Sequence, residues 1–556
     1  MLLRLILDLL GWLRASGSSP SGLESTFELE DYVNDGAEFH RAGSLAEAEA
    51  AYHKALLRNP RNPDALHLLG VTALERKDFD GAESWVMKAL EVSPSVPIYM
   101  NTMGSVLSSM GRHDEAKAIL EQALLAEPAA DRPMVNLLFL LNIIPGISRE
   151  FIFSRHLEWG RRYATIPPVV RGKTFIQAPG EIGILRIGYV SADFCSHPVG
   201  RIISTVLEFH NKNRVEIFCY DNGSDKDHVN AVCRRHADRW TEIAEKTDTE
   251  VAECIDRDGI QILIDLSGHT RKNRLTMFAR KPAPVQVSWL GYLNTTGLEA
   301  IDWRLTDRRA DPPPESENWH IESLWYLPHA PWVWSPTIAL RRLSTSQSPL
   351  AKRGFVTFGS FNTFRKLNEL VLETWGNILR RLPTARLRIL GTPSGSTVDR
   401  LADRFQVMQV DPDRIDFIAA LDYDRYLQAY EQVDIALDPF PYNGGATTCE
   451  SLWMGVPVVS LAGSGGFARS GASLLGALGL HSFLATTVDE YVERAIGLAE
   501  DHENLQRMRY SLRETLLNSP LADAHSFVGD LENAYAGMWQ HWLAGSSGQH
   551  EKEKPC

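Results

Sequence analysis

The hydrophobic pattern of this chain changes character once. As far as residue 163 apolar positions recur at helical spacing; from 184 onward they gather into short β-rich runs separated by helical stretches. In the first region a set of small residues repeats. Gly36, Gly70 and Gly104 lie 34 residues apart, each followed by two alanines (Ala48 and Ala55, Ala82 and Ala89, Ala116 and Ala123) and a proline (Pro60, Pro94, Pro128). Paired antiparallel helices account for this spacing: they cross closely only where side chains are small, and proline closes each second helix because it cannot continue the ladder. The pattern predicts that Gly36 meets Ala48 and Gly70 meets Ala82. Tyr32, Phe39, Tyr52, Leu66, Leu69, Val86, Met100, Leu107 and Leu120 are expected to fill the spaces between neighbouring repeats. A helical stretch over 134–144 should cap the stack, and 150–163 should lead onward.

Beyond 184, strands are predicted over 186–191, 215–220, 261–266, 285–291 and 303–306. A second set follows over 356–361, 386–390, 414–418, 435–437 and 457–461, after a polar stretch at 335–350. Strands alternating with helices imply parallel sheets with crossovers. Two Rossmann-like halves in tandem imply a cleft between them, with ligand at the carboxyl ends of the strands. A helical tail over 522–543 is expected to pack back on the first half.

Length and composition narrow the picture. A chain of 556 residues is too long for one core, and 44% hydrophobic with 23% charged residues is ordinary for globular protein. The expected organisation is an amphipathic segment over 1–28, repeats over 29–150, a first Rossmann-like half over 151–340, a second over 341–521, and a helix and tail over 522–556. A net charge of −13 without a long basic run argues against non-specific nucleic-acid binding. Cys195, Cys219, Cys233, Cys254, Cys449 and Cys556 form no CxxC pair, which argues for a reducing compartment, read here as cytoplasmic, and against a cysteine zinc site. The apolar start over 1–14 is broken by Arg4 and Asp8 and is too short to span a bilayer, so no stable membrane insertion is expected.

The strongest chemical signal is Leu437-Asp-Pro-Phe-Pro-Tyr-Asn-Gly-Gly-Ala-Thr-Thr-Cys-Glu. A strand ends, a glycine turn follows, and hydroxyls open a helix, whose free N–H groups and dipole favour an anion. Gly444, Gly445, Ala446, Thr447 and Thr448 are therefore expected to hold a diphosphate, and Glu450, in the helix's first turn, to accept from a ribose hydroxyl. Lys366, in Phe358-Gly-Ser-Phe-Asn-Thr-Phe-Arg-Lys, follows a strand end and could neutralise a diphosphate leaving group as a metal otherwise would. In the first half, His197 follows the Gly188-Tyr-Val-Ser strand and His269 the Asp265-Leu-Ser-Gly strand. Each could act as base or substrate clamp, or as a structural hydrogen-bonder. Arg469 in a Gly463-Ser-Gly-Gly loop could approach phosphate, and Tyr426 at a helix start could stack on a base. Asp411 with Asp413 and Asp422 with Asp424 have metal-pair spacing, but no metal is expected.

Taken together, these features resemble the O-GlcNAc transferase/SPINDLY family of tetratricopeptide-repeat protein O-glycosyltransferases. The likeness runs over 29–545 and rests on Gly188-Tyr-Val-Ser, Pro282-Ala-Pro-Val-Gln-Val, Trp289-Leu-Gly-Tyr, Phe358-Gly-Ser-Phe-Asn and the 437–460 stretch. The resemblance implies a GT-B fold (an α/β pair of Rossmann-like halves) behind an all-α tetratricopeptide solenoid. It also implies inversion at the anomeric carbon, no metal or other cofactor, and transfer from a nucleotide-sugar to Ser or Thr of proteins held by the repeats. The family lysine on the diphosphate falls on Lys366, the histidine near the acceptor hydroxyl on His197, the ribose acid on Glu450, the phosphate hydroxyl on Thr447, and the GHT histidine on His269. The family's Gly-His-Thr-Thr turn is here Gly444, Gly445, Ala446 and Thr447. Tyr426 and Ala429 stand where O-GlcNAc transferases have a histidine and an arginine at the uracil site. Thr447-Thr-Cys-Glu-Ser and Asn294-Thr-Thr-Gly-Leu look like the SPINDLY arm, whose plant members use GDP-fucose, whereas Arg469 looks like the O-GlcNAc arm. The donor is therefore UDP-GlcNAc or GDP-fucose, with UDP-GlcNAc preferred because short-array members are commonly read that way; an inactive repeat scaffold is the other alternative. On this reading, deleting 29–130 should harm protein substrates more than donor hydrolysis.

Overall fold

The computed structural model describes residues 23–169, 183–345 and 347–550. Residues 1–22 of the expected amphipathic segment, and Cys556, lie outside the described residues. Helices Leu23–Arg41 and Leu45–Arg58, Pro63–Glu75 and Phe79–Val92, and Pro97–Ser109 and His113–Ala126 form three antiparallel pairs. A fourth pair, Asp131–Leu141 and Arg149–Arg161, caps them, so the boundary expected at 150 falls inside a helix. The repeat glycines make close crossings; Gly70 meets Ala82 as expected, but a larger residue lies nearer still. A Cβ on Gly70 would lie 2.4 Å from Val86 Cγ2, with the Ala82 carbonyl at 3.3 Å; Gly36 faces Tyr52 and Gly104 faces Leu120 in the same way. The close neighbour is thus the large residue one turn beyond each alanine, and Ala48, Ala82 and Ala116 are fully buried beside it. Phe39, expected between repeats, is instead 42% exposed.

The first half is a seven-stranded parallel sheet of β1 (Leu185–Ser191), β2 (Val215–Asp221), β3 (Arg239–Glu242), β4 (Ile262–Asp265), β5 (Val285–Ser288), β6 (Trp303–Asp307) and β7 (Ser323–Leu327). Its spatial order is β3-β2-β1-β4-β5-β6-β7. The second half contains β8 (Thr357–Ser360), β9 (Arg386–Leu390), β10 (Ile415–Ile418), β11 (Ile435–Leu437), β12 (Val458–Leu461) and β13 (Leu484–Ala485), in the order β10-β9-β8-β11-β12-β13. Central strands such as Ile262-Leu-Ile-Asp are buried at every position, as a parallel sheet covered on both faces requires. The three strands absent from the sequence expectation, β3, β7 and β13, all lie at sheet edges; β3 (Arg239-Trp-Thr-Glu) lacks an apolar run, whereas β7 (Ser323-Leu-Trp-Tyr-Leu) has one.

Chain order reverses between β1 and β4 in one sheet and between β8 and β11 in the other. These are the two places where an open α/β sheet leaves a crevice at its carboxyl edge. Helix Ala524–His550 returns to the first half, as expected. His210 Nδ1 donates to Glu532 Oε1 at 3.0 Å, and the hydroxyls of Tyr189 and Tyr535 lie 2.9 Å apart. Among the described residues, no helix is long and apolar enough to cross a membrane.

Candidate functional site

At the second switch point, β8 ends at Ser360 and runs through Asn362 into the 3-10 turn Phe364–Lys366, while β11 ends at Leu437 and runs through Asp438 into the glycine turn. Lys366 Nζ donates to the Asn443 carbonyl at 2.7 Å and to Asn362 Oδ1 at 3.2 Å, and lies 4.8 Å from the centre of the Tyr442 ring. Lys366 is therefore beside the predicted diphosphate turn, across 77 residues of sequence. Burial lowers its pKa to about 8, against the attraction of Asp438 and with help from Arg365.

Asp438 organises the turn. Its Oδ1 accepts from Gly444 N at 2.7 Å and from Asn362 Nδ2 at 3.3 Å, and its Oδ2 accepts from Ser460 Oγ at 2.6 Å. Burial raises its pKa to about 6, despite these donors and Lys366. Glycine is required at 444: a Cβ there would sit 2.7 Å from Thr447 Oγ1 and 2.8 Å from Asp438 Oδ1. The Gly444 amide, expected to face a diphosphate, is consequently already committed to Asp438, and the Thr448 amide to the Gly445 carbonyl.

The helix that follows, Ala446–Trp453, starts at Gly445 without a side-chain cap. The amides of Gly445, Ala446 and Thr447 have no acceptor among the described residues. Thr447 Oγ1 donates to Asn362 Oδ1 at 3.2 Å, whereas Thr448 Oγ1 and Asn443 Oδ1 are buried without partners. An ammonium, a set of uncommitted amides and the positive end of a helix converge here, which is the arrangement an anion of two phosphates needs.

Glu450 stands one turn deeper than expected, as the fifth residue of its helix, and is 5% exposed. Its Oε1 accepts from Tyr423 at 3.1 Å and from Arg201 Nη1 at 3.4 Å, and its Oε2 accepts from Tyr426 at 2.8 Å. Burial raises its pKa. Tyr426 lies one turn inside helix Tyr423–Ala429, which Asp422 caps, and not at its start. Its hydroxyl also meets that of Tyr430 at 2.8 Å, and its ring stands edge-on to Phe361. Arg201 comes from the first half and lies 4.2 Å over the Tyr423 ring. Pro198, Arg201, Ile202 and Trp334 face Ala446 and Glu450 across the cleft between the halves.

His197 caps helix Pro198–Phe209, with Nδ1 accepting from the Val199 amide at 3.3 Å. Its side chain is 46% exposed, and Asp193 Oδ2 lies 3.7 Å away. Its pKa is lowered by desolvation and by Arg201, against the pull of Asp193. Its Nε2 makes no hydrogen bond among the described residues and remains available to an acceptor. His269 is not brought to this cluster. It is 1% exposed, donates through Nε2 to the Thr296 carbonyl at 2.7 Å, and packs against His156, Trp159 and Tyr292 beneath the repeats; burial lowers its pKa to about 4. Arg469 is likewise engaged elsewhere, its Nε donating to the Arg309 carbonyl and its Nη1 to that of Gly463. Asp411 and Asp422 each cap a short helix. Among the described residues, no group of three or more His, Cys, Asp and Glu could hold a metal ion.

Sequence reasoning missed Asp438, Asn362, Arg201 and Tyr423. A carboxylate directly after β11 and an amide two residues after β8 were visible signals for the first two. The pairing of Arg201 with Glu450 left no local signature.

Comparison with known proteins agrees with this architecture. The model described as glycosyl transferase family 41 matches residues 172–347 and 343–531, and tetratricopeptide-repeat models match 38–97 and 98–129. A Petunia hybrida protein named probable UDP-N-acetylglucosamine–peptide N-acetylglucosaminyltransferase SPINDLY is 37% identical over 433 residues, covering 76% of this chain and 46% of that protein. The Arabidopsis thaliana protein of the same name with the suffix SEC is 32% identical, over 71% of this chain and 42% of its own length. The chain thus spans about half the length of the curated relatives it matches. A solved lysine-to-methionine mutant of the Thermobaculum terrenum O-GlcNAc transferase superposes with a TM-score of 0.88 at 33% identity, over 95% of this chain and all of that one. With repeats, two facing parallel-sheet halves and these matches together, the chain belongs to glycosyl transferase family 41.

Proposed function

We propose that this protein is an inverting O-glycosyltransferase that moves a sugar from a nucleoside-diphosphate donor to Ser or Thr hydroxyls of proteins. The observation that carries the reading is Lys366 Nζ, 2.7 Å from the Asn443 carbonyl beside a helix start with three uncommitted amides. In a single displacement, the acceptor oxygen bonds to the anomeric carbon as the bond from that carbon to the phosphate oxygen breaks. The electron pair leaves with the diphosphate, where the Lys366 ammonium and the amides of Gly445, Ala446 and Thr447 stabilise the growing charge. Because His197 Nδ1 accepts from the Val199 amide, its proton sits on Nε2, which orients the acceptor hydroxyl, and the acceptor's proton passes to a donor phosphate oxygen. Glu450 exchanges Arg201 for a ribose hydroxyl, and Tyr423 and Tyr426 hold its carboxylate in place. Lys366 supplies the charge that a metal supplies in other transferases, so we assign no metal to the reaction.

UDP-GlcNAc is the donor we favour, in keeping with the names of the plant relatives and of the bacterial structure. GDP-fucose is the second reading, because Tyr426 is bonded to Glu450 where O-GlcNAc transferases have a uracil-site histidine. A cytoplasmic setting accords with the five described cysteines, all unpaired. The test is incubation of the full chain with each donor and a Ser/Thr peptide library, read by mass spectrometry. A hexosamine adduct from UDP-GlcNAc alone supports the favoured reading, a deoxyhexose adduct from GDP-fucose alone supports the second, and no adduct from either contradicts both.

A further inference from the structure

The repeats touch the second half at the place where its lysine sits. His113, at the start of helix His113–Ala126, donates through Nε2 to the Leu367 carbonyl at 2.8 Å, one residue past Lys366. Arg400 Nη2 donates to the Met110 carbonyl at 2.5 Å. Gly111, at φ +76°, lets the repeat turn come so near that a Cβ there would lie 3.2 Å from the Phe364 ring. From the capping pair, Ile143 offers its carbonyl to Asn368 Nδ2 at 3.2 Å, and the same amide donates to Phe440 at 2.6 Å. Arg365 lies 4.3 Å over the ring of Phe139, which stacks on Tyr442 at 5.7 Å, and Tyr442 is the ring that faces Lys366. Both neighbours of Lys366 and the opposing loop are therefore held by repeat residues.

We propose that the repeat array is a structural part of the donor-diphosphate site, with His113 and Phe139 as positioning residues that fix the Lys366 turn against the 440–444 loop. The inference rests on the function proposed above. A single 3-10 turn has few internal hydrogen bonds and cannot hold a lysine to a fraction of an ångström unaided. Burial lowers the pKa of His113 to about 4, so at neutral pH it is an uncharged donor that adds no repulsion beside Arg365 and Lys366. The repeats then do more than feed an acceptor, which departs from the expectation that deleting 29–130 harms protein substrates more than donor hydrolysis.

The test uses the full chain without any protein acceptor. UDP and GDP affinities are measured by calorimetry for His113→Ala, His113→Gln and Phe139→Leu, with Asp80→Ala as control; Asp80 ties the repeats to Ser396, away from the lysine turn. A displacement of the turn by about an ångström should weaken nucleotide binding or donor hydrolysis by about ten- to a hundredfold. His113→Gln, which keeps a donor, should recover most of the loss, and Asp80→Ala should match the wild type. Wild-type affinity in both His113→Ala and Phe139→Leu would overturn the proposal. A separate readout tests positioning even if the wild type binds neither nucleotide: the pH dependence of Lys366 acylation, followed by mass spectrometry. Asp438 and Arg365 are the charged groups that face this amine. Its midpoint should move from about 8 towards the ordinary lysine value in His113→Ala, and an unmoved midpoint would contradict the proposal. Should His113→Ala fail to fold, Phe139→Leu decides by the same two readouts.

Discussion

The two switch points have the same topology and opposite fates. In the first half, Asp265 at the end of β4 accepts from the amides of Ser267 and Gly268, and His269 is sealed under the repeats. In the second half, Asp438 just after β11 takes one amide and leaves the next three uncommitted, opposite the half-buried Lys366. At the first switch point the β4 side has become a joint between domains, while the β1 side carries His197 and Arg201 to the cleft; at the second, the polar groups after β11 are left uncommitted. A Rossmann-like half therefore supplies a place for chemistry, and the side chains that close or open that place decide whether chemistry occurs there.

The comparison breaks most visibly at Lys366. Lys366→Ala should slow single-turnover transfer on the order of 10²–10³-fold while the melting temperature stays near that of the wild type. Substantial residual turnover would remove the lysine from the mechanism. Asp438→Ala strips three donors of their acceptor and should cost about 1–3 kcal/mol in denaturant unfolding, with loss of nucleotide binding as the 444–448 turn loosens.

His269→Ala sharpens the contrast from the other side. It opens space against Trp159 and Tyr292 and should destabilise the protein by about 2–3 kcal/mol, with the change in rate much smaller than at Lys366. A rate loss equal to that of Lys366→Ala, without loss of stability, would restore His269 to the acceptor side. Nucleotide affinity should fall as pH rises through about 8, where Lys366 loses its ammonium charge, so the alkaline limb lies well below that of an ordinary lysine; protonation of Asp438 below about 6 removes a negative charge from beside the site and should not itself weaken binding of an anion. The smallest expected effect is at Arg201. Arg201→Ala leaves Glu450 its two tyrosine donors and should change nucleotide affinity less than tenfold.

How much of this was legible in the sequence differs along the same divide. The 34-residue spacing, the continuous apolar strands and the strand-turn-helix motif at 437–453 are local patterns, and they predicted the repeats, the sheet centres and the glycine turn that opens helix Ala446–Trp453. Among the edge strands, β3 escaped because Arg239-Trp-Thr-Glu has no apolar run, whereas β7, Ser323-Leu-Trp-Tyr-Leu, was legible and was missed. The fate of His269 was not legible either. It depends on helix Arg149–Arg161 packing over it, through His156 and Trp159, residues far from it in sequence. Arg201 escaped for the same reason, being 249 residues from Glu450. Local signals name the groups that can do chemistry; long-range packing decides which of them are left free to do it.

The most direct measurement is calorimetric titration of UDP and GDP into the wild type and Lys366→Met at low ionic strength. Saturable binding of at least one diphosphate by the wild type, weakened about tenfold or more in the variant, is the predicted result. Equal affinity in the two proteins, or no binding of either nucleotide by the wild type, would contradict the diphosphate site.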